Sequence, residues 1–400
     1  MFKEFVQNYY LLSDKIKNIL LITFLYSISN IFINSFMGVI LFKQRENVHD
    51  LIVFNAYNIS FGLGAMLLSI FLIPYLKLTL SAVFKLGLFL MLLSFIYLLY
   101  YLTIESFQNF NFNIFIVINT IGNSIYWHGV NIFELKNTDQ KDRLLYLSFT
   151  QFGKQILAIM APLLISAAII INDLFSDNEY LLLIIIITIS MLFALQKSNN
   201  LDEFKPKKIK KIRLKKESIT SYFYFFINGM NYVGFIFIGV YMSSLVFENV
   251  YEIGIFQFII NLISMFLIVN LASRVEKNNI KLLLFYSVVI IASLLPLMYE
   301  TSLISYTIFT LMFSIAYPIF SIFTKERLIK ATNDISSNKT NSLFIKEFFL
   351  NNGRLFLLFI MLGMYQFLST EKFLSCFLYL TMITFIIEFV IIFIQKLKKP

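Results

Sequence analysis

The chain has 400 residues, 58% of them hydrophobic and 14% charged, with a formal net charge of +10 and a mean hydropathy of +0.78. Soluble chains carry about 25% charged residues, so this composition excludes a water-soluble globular fold. The basic excess lies in gaps between apolar runs and not in a folded basic domain, which argues against nucleic acid and for anionic lipid headgroups as its counterpart.

In chain order the apolar runs predict helices at Ile19–Leu41, Leu51–Ile73, Leu86–Leu102, Phe112–Leu135, Leu144–Ile171 and Tyr180–Leu195. After a basic break they resume at Ile219–Phe247, Ile253–Leu271, Ile280–Tyr299, Leu303–Phe323, Leu343–Leu368 and Phe373–Ile394. Each is close to the ~20 residues that span a bilayer. The expected fold class is an all-α membrane protein with twelve transmembrane helices in two six-helix pseudo-symmetric bundles. The bundles would occupy residues 1–196 and 219–400, joined by a basic linker at 197–218.

All of the 33 Lys and Arg residues except Lys43, Arg45, Lys372, Lys154 and Arg354 fall in the two termini or in every second gap. Cytoplasmic loops carry such an excess, so both termini and the linker are read as cytoplasmic. No small-residue cleavage site follows the first run, which reads as a retained helix and not a signal peptide. The single Cys376 excludes an internal disulfide framework. There is no long outer loop, no His-Glu-x-x-His, no paired Cys and no Walker-type glycine loop. No catalytic residue, metal site or cofactor is therefore expected, and energy would come from an ion gradient or from the solute's own gradient.

The two halves echo each other. Ser27, Asn30 and Gly38-Val39 recur as Asn228, Asn231 and Gly239-Val240 at one common interval, and Gly153-Lys154 recurs as Gly353-Arg354 one residue short of it. Agreement in two separate runs argues for an internal parallel repeat, the arrangement of transporters whose halves rock about a central site.

Tyr126-Trp127, Ala161-Pro162, the segment Thr138-Asp139-Gln140-Lys141-Asp142-Arg143 and the segment from Lys346 through Glu347, Asn351 and Gly353 to Arg354 give the resemblance its residues. Over the whole chain the sequence resembles the major facilitator superfamily, and these segments are similar to a little-characterised branch from Gram-positive bacteria. The Gly-rich Asp/Arg signature of the superfamily is missing from Pro74 to Gly87, and the antiporter signature survives only as Ala161-Pro162. The resemblance implies a secondary transporter working by alternating access. It also implies that the fifth and eleventh runs border a central cavity walled by the first, fourth, seventh and tenth.

An ionised side chain near the bilayer centre costs about 3 kcal/mol even on lenient scales, so it faces a cavity or a partner. Lys154 lies about 16 Å along its helix from Arg143, and Arg354 about 12 Å from Lys346, at the ~1.5 Å rise per residue. With the implied cavity, both become candidate ligands for a carboxylate or phosphate; for Arg354 an ion pair with Glu388 is the alternative. The stripe Thr23, Ser27, Asn30, Asn34 shares one helical face, as do Tyr224, Asn228 and Asn231. Such faces either line a polar cavity or bond helix to helix. Asn30, Asn34, Asn228 and Asn231 are candidate cavity residues, and Trp127 and Asn131 extend the wall. His128 and Glu388 are candidate proton carriers, and Glu134, Arg143 and Glu347 candidate gating residues near the cytoplasmic ends.

The expected function is secondary active transport of a small anionic or amphipathic organic solute across a bacterial cytoplasmic membrane, coupled to H+, by a monomer. The rival functions are a lipid-linked saccharide flippase and a multidrug efflux pump. Cationic-drug efflux is disfavoured because no acid lies deep in the first or fourth run.

Overall fold

The computed structural model describes residues 9–10, 12–45, 48–104, 110–137, 140–175, 180–201, 218–272, 280–335 and 339–397. The greater part of the linker at 197–218 lies outside them. The described chain is almost wholly helical. Its helices are α1 (Asp14–Ile31), α2 (Gly38–Arg45), α3 (Val48–Tyr75), α4 (Leu80–Thr103), α5 (Phe112–Asn137), α6 (Gln140–Phe175) and α7 (Leu181–Lys197). They continue as α8 (Ile219–Val246), α9 (Val250–Ala272), α10 (Ile280–Ser293), α11 (Leu295–Tyr299), α12 (Leu303–Ile335), α13 (Lys339–Phe367) and α14 (Thr370–Leu397).

Eight of the described helices are long and apolar enough to cross a membrane. Large apolar side chains stand exposed along them, Leu68, Phe71, Phe356 and Phe359 among them. Such surface is stable against lipid and not against water. The α5 helix is not among the eight, because Asn119, Asn123, His128 and Asn131 dilute its apolar character.

Two predicted helices are broken. The first run is α-helical to Ile31, passes through a π turn at Phe32–Met37, and resumes as α2. Such π turns occur mostly as single insertions in α-helices, often at functional positions. The ninth run is divided at Leu294 into α10 and α11, with Pro296 in the first turn of α11. Proline lacks an N–H and clashes with the preceding turn, so it starts a helix more readily than it continues one. At the other extreme α12 runs to Ile335, beyond the predicted end at Phe323. Its polar last turns are helped by a Glu326–Lys330 ion pair at 2.7 Å, spaced i, i+4.

The chain forms two compact units. The first comprises Met1–Ile33, Tyr57–Ile212 and Asn338–Phe344, and the second Asn34–Ala56, Arg213–Ser337 and Ile345–Pro400. In the first unit α4 and α5 cross backbone to backbone. A Cβ built on Gly87 would lie 2.7 Å from the Tyr126 nitrogen, and one on Gly122 would lie 2.7 Å from the Gly87 oxygen. In the second unit α8 and α13 do the same: a Cβ on Gly229 would run into the Leu350 carbonyl, and one on Gly353 into that of Phe226. Without a hydrophobic drive inside lipid, such small-residue crossings hold helices together by van der Waals contact. Each fixes the next residues of the site: Tyr126-Trp127 beside the first crossing, Arg354 beside the second.

Candidate functional site

In the first unit the site is built round the Tyr26 hydroxyl. It accepts the Trp127 indole N–H at 2.9 Å and donates its one proton to a carboxamide oxygen, with Asn123 Oδ1 at 2.6 Å and Asn30 Oδ1 at 3.0 Å. The Tyr26 ring stacks on Tyr126 at 4.0 Å and meets Trp127 edge-on. Tyr126 in turn donates to Thr23 Oγ1 at 3.2 Å. The α1 stripe is in part a helix-to-helix seam, through Thr23, while Ser27 is buried and donates to the Thr23 carbonyl of its own helix. Asn30 is half-buried, whereas Asn34 lies in the π turn with its side chain outside the described residues.

Lys154 reaches this cluster from α6. Its ammonium lies 5.7 Å from the centroid of the Trp127 ring, the geometry of a cation–π contact. Trp127 and Asn131, one turn apart on α5, are both half-buried, while His128 between them is fully buried.

In the second unit the Gly229–Gly353 crossing delivers Arg354 to α8. The Arg354 guanidinium lies 4.5 Å over the Tyr232 ring, and its Nη1 donates to Asn351 Oδ1 at 2.9 Å. The buried Nε–H has no hydrogen-bond partner among the described residues. Glu388 does not pair with it. Its two carboxylate oxygens accept instead from Asn228 Nδ2 at 3.0 Å and Asn231 Nδ2 at 2.5 Å. Thr384 donates to Asn231 Oδ1 at 2.6 Å, which fixes that amide's orientation. Of the two readings left open by the sequence, the α8 stripe follows the second: it bonds helix to helix, and the group it holds on α14 is a buried acid. The ion pair between Arg354 and Glu388 that matching depth allowed is not made, because Asn228 and Asn231 lie between α8 and α14 and satisfy the carboxylate first.

Of the gating candidates, Glu134 and Glu347 are buried near helix ends. The Tyr146 hydroxyl donates to Glu134 at 3.4 Å. Glu347 lies 3.0 Å from Lys346 and accepts from Asn351 Nδ2 at 3.3 Å. The Arg143 side chain is outside the described residues.

Four residues with clear places in these clusters were not singled out from sequence: Tyr26, Asn123, Tyr232 and Thr384. The signal was present. Tyr26 falls between Thr23 and Asn30 at helical spacing, and Asn123 lies one turn before Trp127, so both share a face with residues already chosen.

No protein-family model matches the sequence, and no curated protein is similar to it at the sequence level. Solved structures do match. The human organic anion transporter MFSD10 (TETRAN) superposes with a TM-score of 0.63 at 10% identity, over 94% of this chain and 98% of that one. The nucleoside transporter NupG gives 0.60 at 12% identity, over 95% and 99%. The Escherichia coli fucose:proton symporter FucP gives 0.55 at 17% identity, over 94% and 97%. The fold is that of major facilitator superfamily transporters.

Proposed function

We propose that this protein is a secondary transporter that moves a small anionic or amphipathic organic solute by alternating access, driven by protons. The observation that carries the reading is that each unit presents one deep cation on an aromatic ring: Lys154 on Trp127, and Arg354 on Tyr232. A cation placed at that depth is costly unless it serves a partner or a solute. The ring face stabilises it by about 0.5–2 kcal/mol without neutralising its charge. An anionic group can then gain charge-assisted hydrogen bonds from it, and the unused Nε–H of Arg354 is one such donor. Asn30, Asn34, Trp127 and Asn131 would shape the solute's surroundings in one half, and Asn228 and Asn231 in the other. The halves themselves would be the two six-helix bundles on either side of the basic linker, in a bacterial cytoplasmic membrane with both termini inside.

Glu388 is the favoured proton carrier, with His128 second. As a carboxylate it accepts one N–H on each oxygen. Protonation removes the charge that strengthens both bonds, and Asn231 cannot turn its amide to accept a new O–H without losing Thr384. Protonation therefore loosens the α8–α14 contact, which makes proton occupancy a mechanical signal. Glu134, Arg143 and Glu347 would act as gates. That the superposed proteins are called an organic anion transporter and a fucose:proton symporter agrees with the solute class and the coupling ion.

The test is uptake into proteoliposomes under an imposed pH gradient, screened over organic acids, sugars and organic cations. Accumulation of an organic acid that collapses with the gradient and is lost in Lys154→Ala and Arg354→Ala supports the reading. Accumulation of cations alone, or transport indifferent to both residues, rejects it.

A further inference from the structure

The first unit contains a cavity of about 360 Å³ between α1 and α6, within the ~300–1,000 Å³ range of small-molecule sites. Its walls are mainly apolar, from Leu20, Leu21 and Phe24 on α1 and Phe149, Phe152 and Ile156 on α6. Tyr9 and Tyr10 form one rim, with the Tyr9 ring edge-on to Phe149 at 5.5 Å. Lys154 is the one charged residue lining it among the described residues. The room is created in part by Gly153, where an added Cβ would meet only the Phe24 ring, at 3.6 Å.

We infer that this cavity binds a single-chain amphiphile carrying one negative charge, such as a medium-chain carboxylate, with its chain along the α1 and α6 walls and its carboxylate on Lys154. The argument is one of chemistry and count. An apolar chain fits walls of Leu, Ile and Phe, which gain by excluding water. The headgroup must be anionic because the lining charge is a cation. It should be singly charged because the described lining residues supply one full positive charge, and hydroxyls there add only neutral donors, some of them already used. Ser27 donates to the Thr23 carbonyl at 2.6 Å, Thr150 donates to the Tyr146 carbonyl at 2.8 Å, and Thr23 Oγ1 already accepts from Tyr126. A phosphate dianion would leave one charge unmatched by that ammonium, since the further donors, the Thr23 hydroxyl and the Tyr9 and Tyr10 phenols, are neutral. The inference rests on the proposed role of Lys154 and narrows the solute class to chain-bearing monoanions.

Trp127 is the chain's single tryptophan and lies beside the Lys154 ammonium, so its fluorescence reports this end of the cavity. The experiment uses the full chain in nanodiscs and dodecanoate carrying a nitroxide quencher next to its carboxyl group. We expect saturable quenching that unlabelled dodecanoate reverses, and that acetate, dodecylammonium and lysophosphatidic acid do not reverse at the same concentrations. The methyl ester of the probe should give no saturable quenching. Lys154→Gln, which removes the charge, and Gly153→Leu, which fills the cavity, should each raise the half-saturating concentration at least roughly tenfold, equivalent to about 1.4 kcal/mol. Displacement by acetate as strong as by dodecanoate, equal quenching by the ester, or stronger competition by lysophosphatidic acid would overturn the inference, and none of these readings needs a variant to fold. Counterflow of short organic acids in proteoliposomes separates the two claims. Counterflow with no saturable quenching leaves a transporter without this site, whereas saturable quenching with no transport of any anion leaves the site and removes the transporter.

Discussion

Gly153-Lys154 on α6 and Gly353-Arg354 on α13 are each a glycine followed by a cation, yet they do different physical work. Gly353 touches backbone: its missing side chain lets α13 close on the Phe226 carbonyl of α8, and Arg354 is fixed by that contact. Gly153 touches only the Phe24 ring at ordinary distance, and its missing side chain opens a cavity. One glycine joins two helices; the other keeps two apart. The comparison breaks most sharply under alanine. Gly353→Ala must push two backbones apart and should cost at least about 3 kcal/mol, at the upper end of overpacking penalties. Gly153→Ala should be neutral or stabilise by up to about 1 kcal/mol through helix propensity. Thermal unfolding of the two variants in detergent measures both, and equal shifts would remove the distinction.

The cations differ in the same direction. Arg354 is tied by geometry, with a planar guanidinium over Tyr232 and one N–H on Asn351. Lys154 is a point charge near Trp127. Arg and Lys are not interchangeable at a stacked, hydrogen-bonded position. Glu388→Gln is the next largest effect we expect. The amide keeps the shape but carries no exchangeable charge, so accumulation driven by a pH gradient should fall by at least an order of magnitude while solute exchange at equal pH survives. Loss of both activities together would make Glu388 merely structural. Below that, Arg354→Lys should weaken solute binding about tenfold, from lost stacking and a lost fixed donor. Lys154→Arg should change it by less than about threefold, since the positive charge beside Trp127 is kept. Half-saturation in counterflow reads both, and the reverse ranking would place the demanding contact in the first unit.

The helices were legible because hydropathy over ~20 residues is a strong and local signal. Their interruptions were less so. Pro296 announces a break, but nothing in Phe32–Met37 distinguishes a π turn from a continuing α-helix. The site was legible by residue type and not by partner. Lys154, Arg354, Glu388, Asn228 and Asn231 stand out as polar groups in apolar runs, and the structure brings the last three together. Depth alone suggested that Arg354 meets Glu388, and depth is silent about rotation. Two residues at one level on neighbouring helices meet only if both face the same seam. Tyr232 and Tyr26 escaped notice because tyrosine is common here, with 22 in the chain, and its hydroxyl becomes informative only when a partner is seen.

Ser27 on α1 and Asn228 on α8 allow the finest test of the same contrast. Ser27 is buried, but its hydroxyl bonds to the carbonyl of its own preceding turn, which that helix already uses in its backbone ladder. Removing it leaves no group orphaned, so Ser27→Ala should shift stability by less than about 0.5 kcal/mol. Asn228 holds one oxygen of a carboxylate that is 1% exposed. Removing it strips a charge-assisted bond from a buried acid and should cost about 1.5–3 kcal/mol. That loss should shrink in a Glu388→Gln background, because a neutral amide depends less on the bond. A double-mutant cycle of Asn228→Ala and Glu388→Gln, read by thermal unfolding, measures the coupling. A coupling near zero would mean that the asparagine stripe of α8 lines space, like the cavity wall first expected of it, and does not hold the acid.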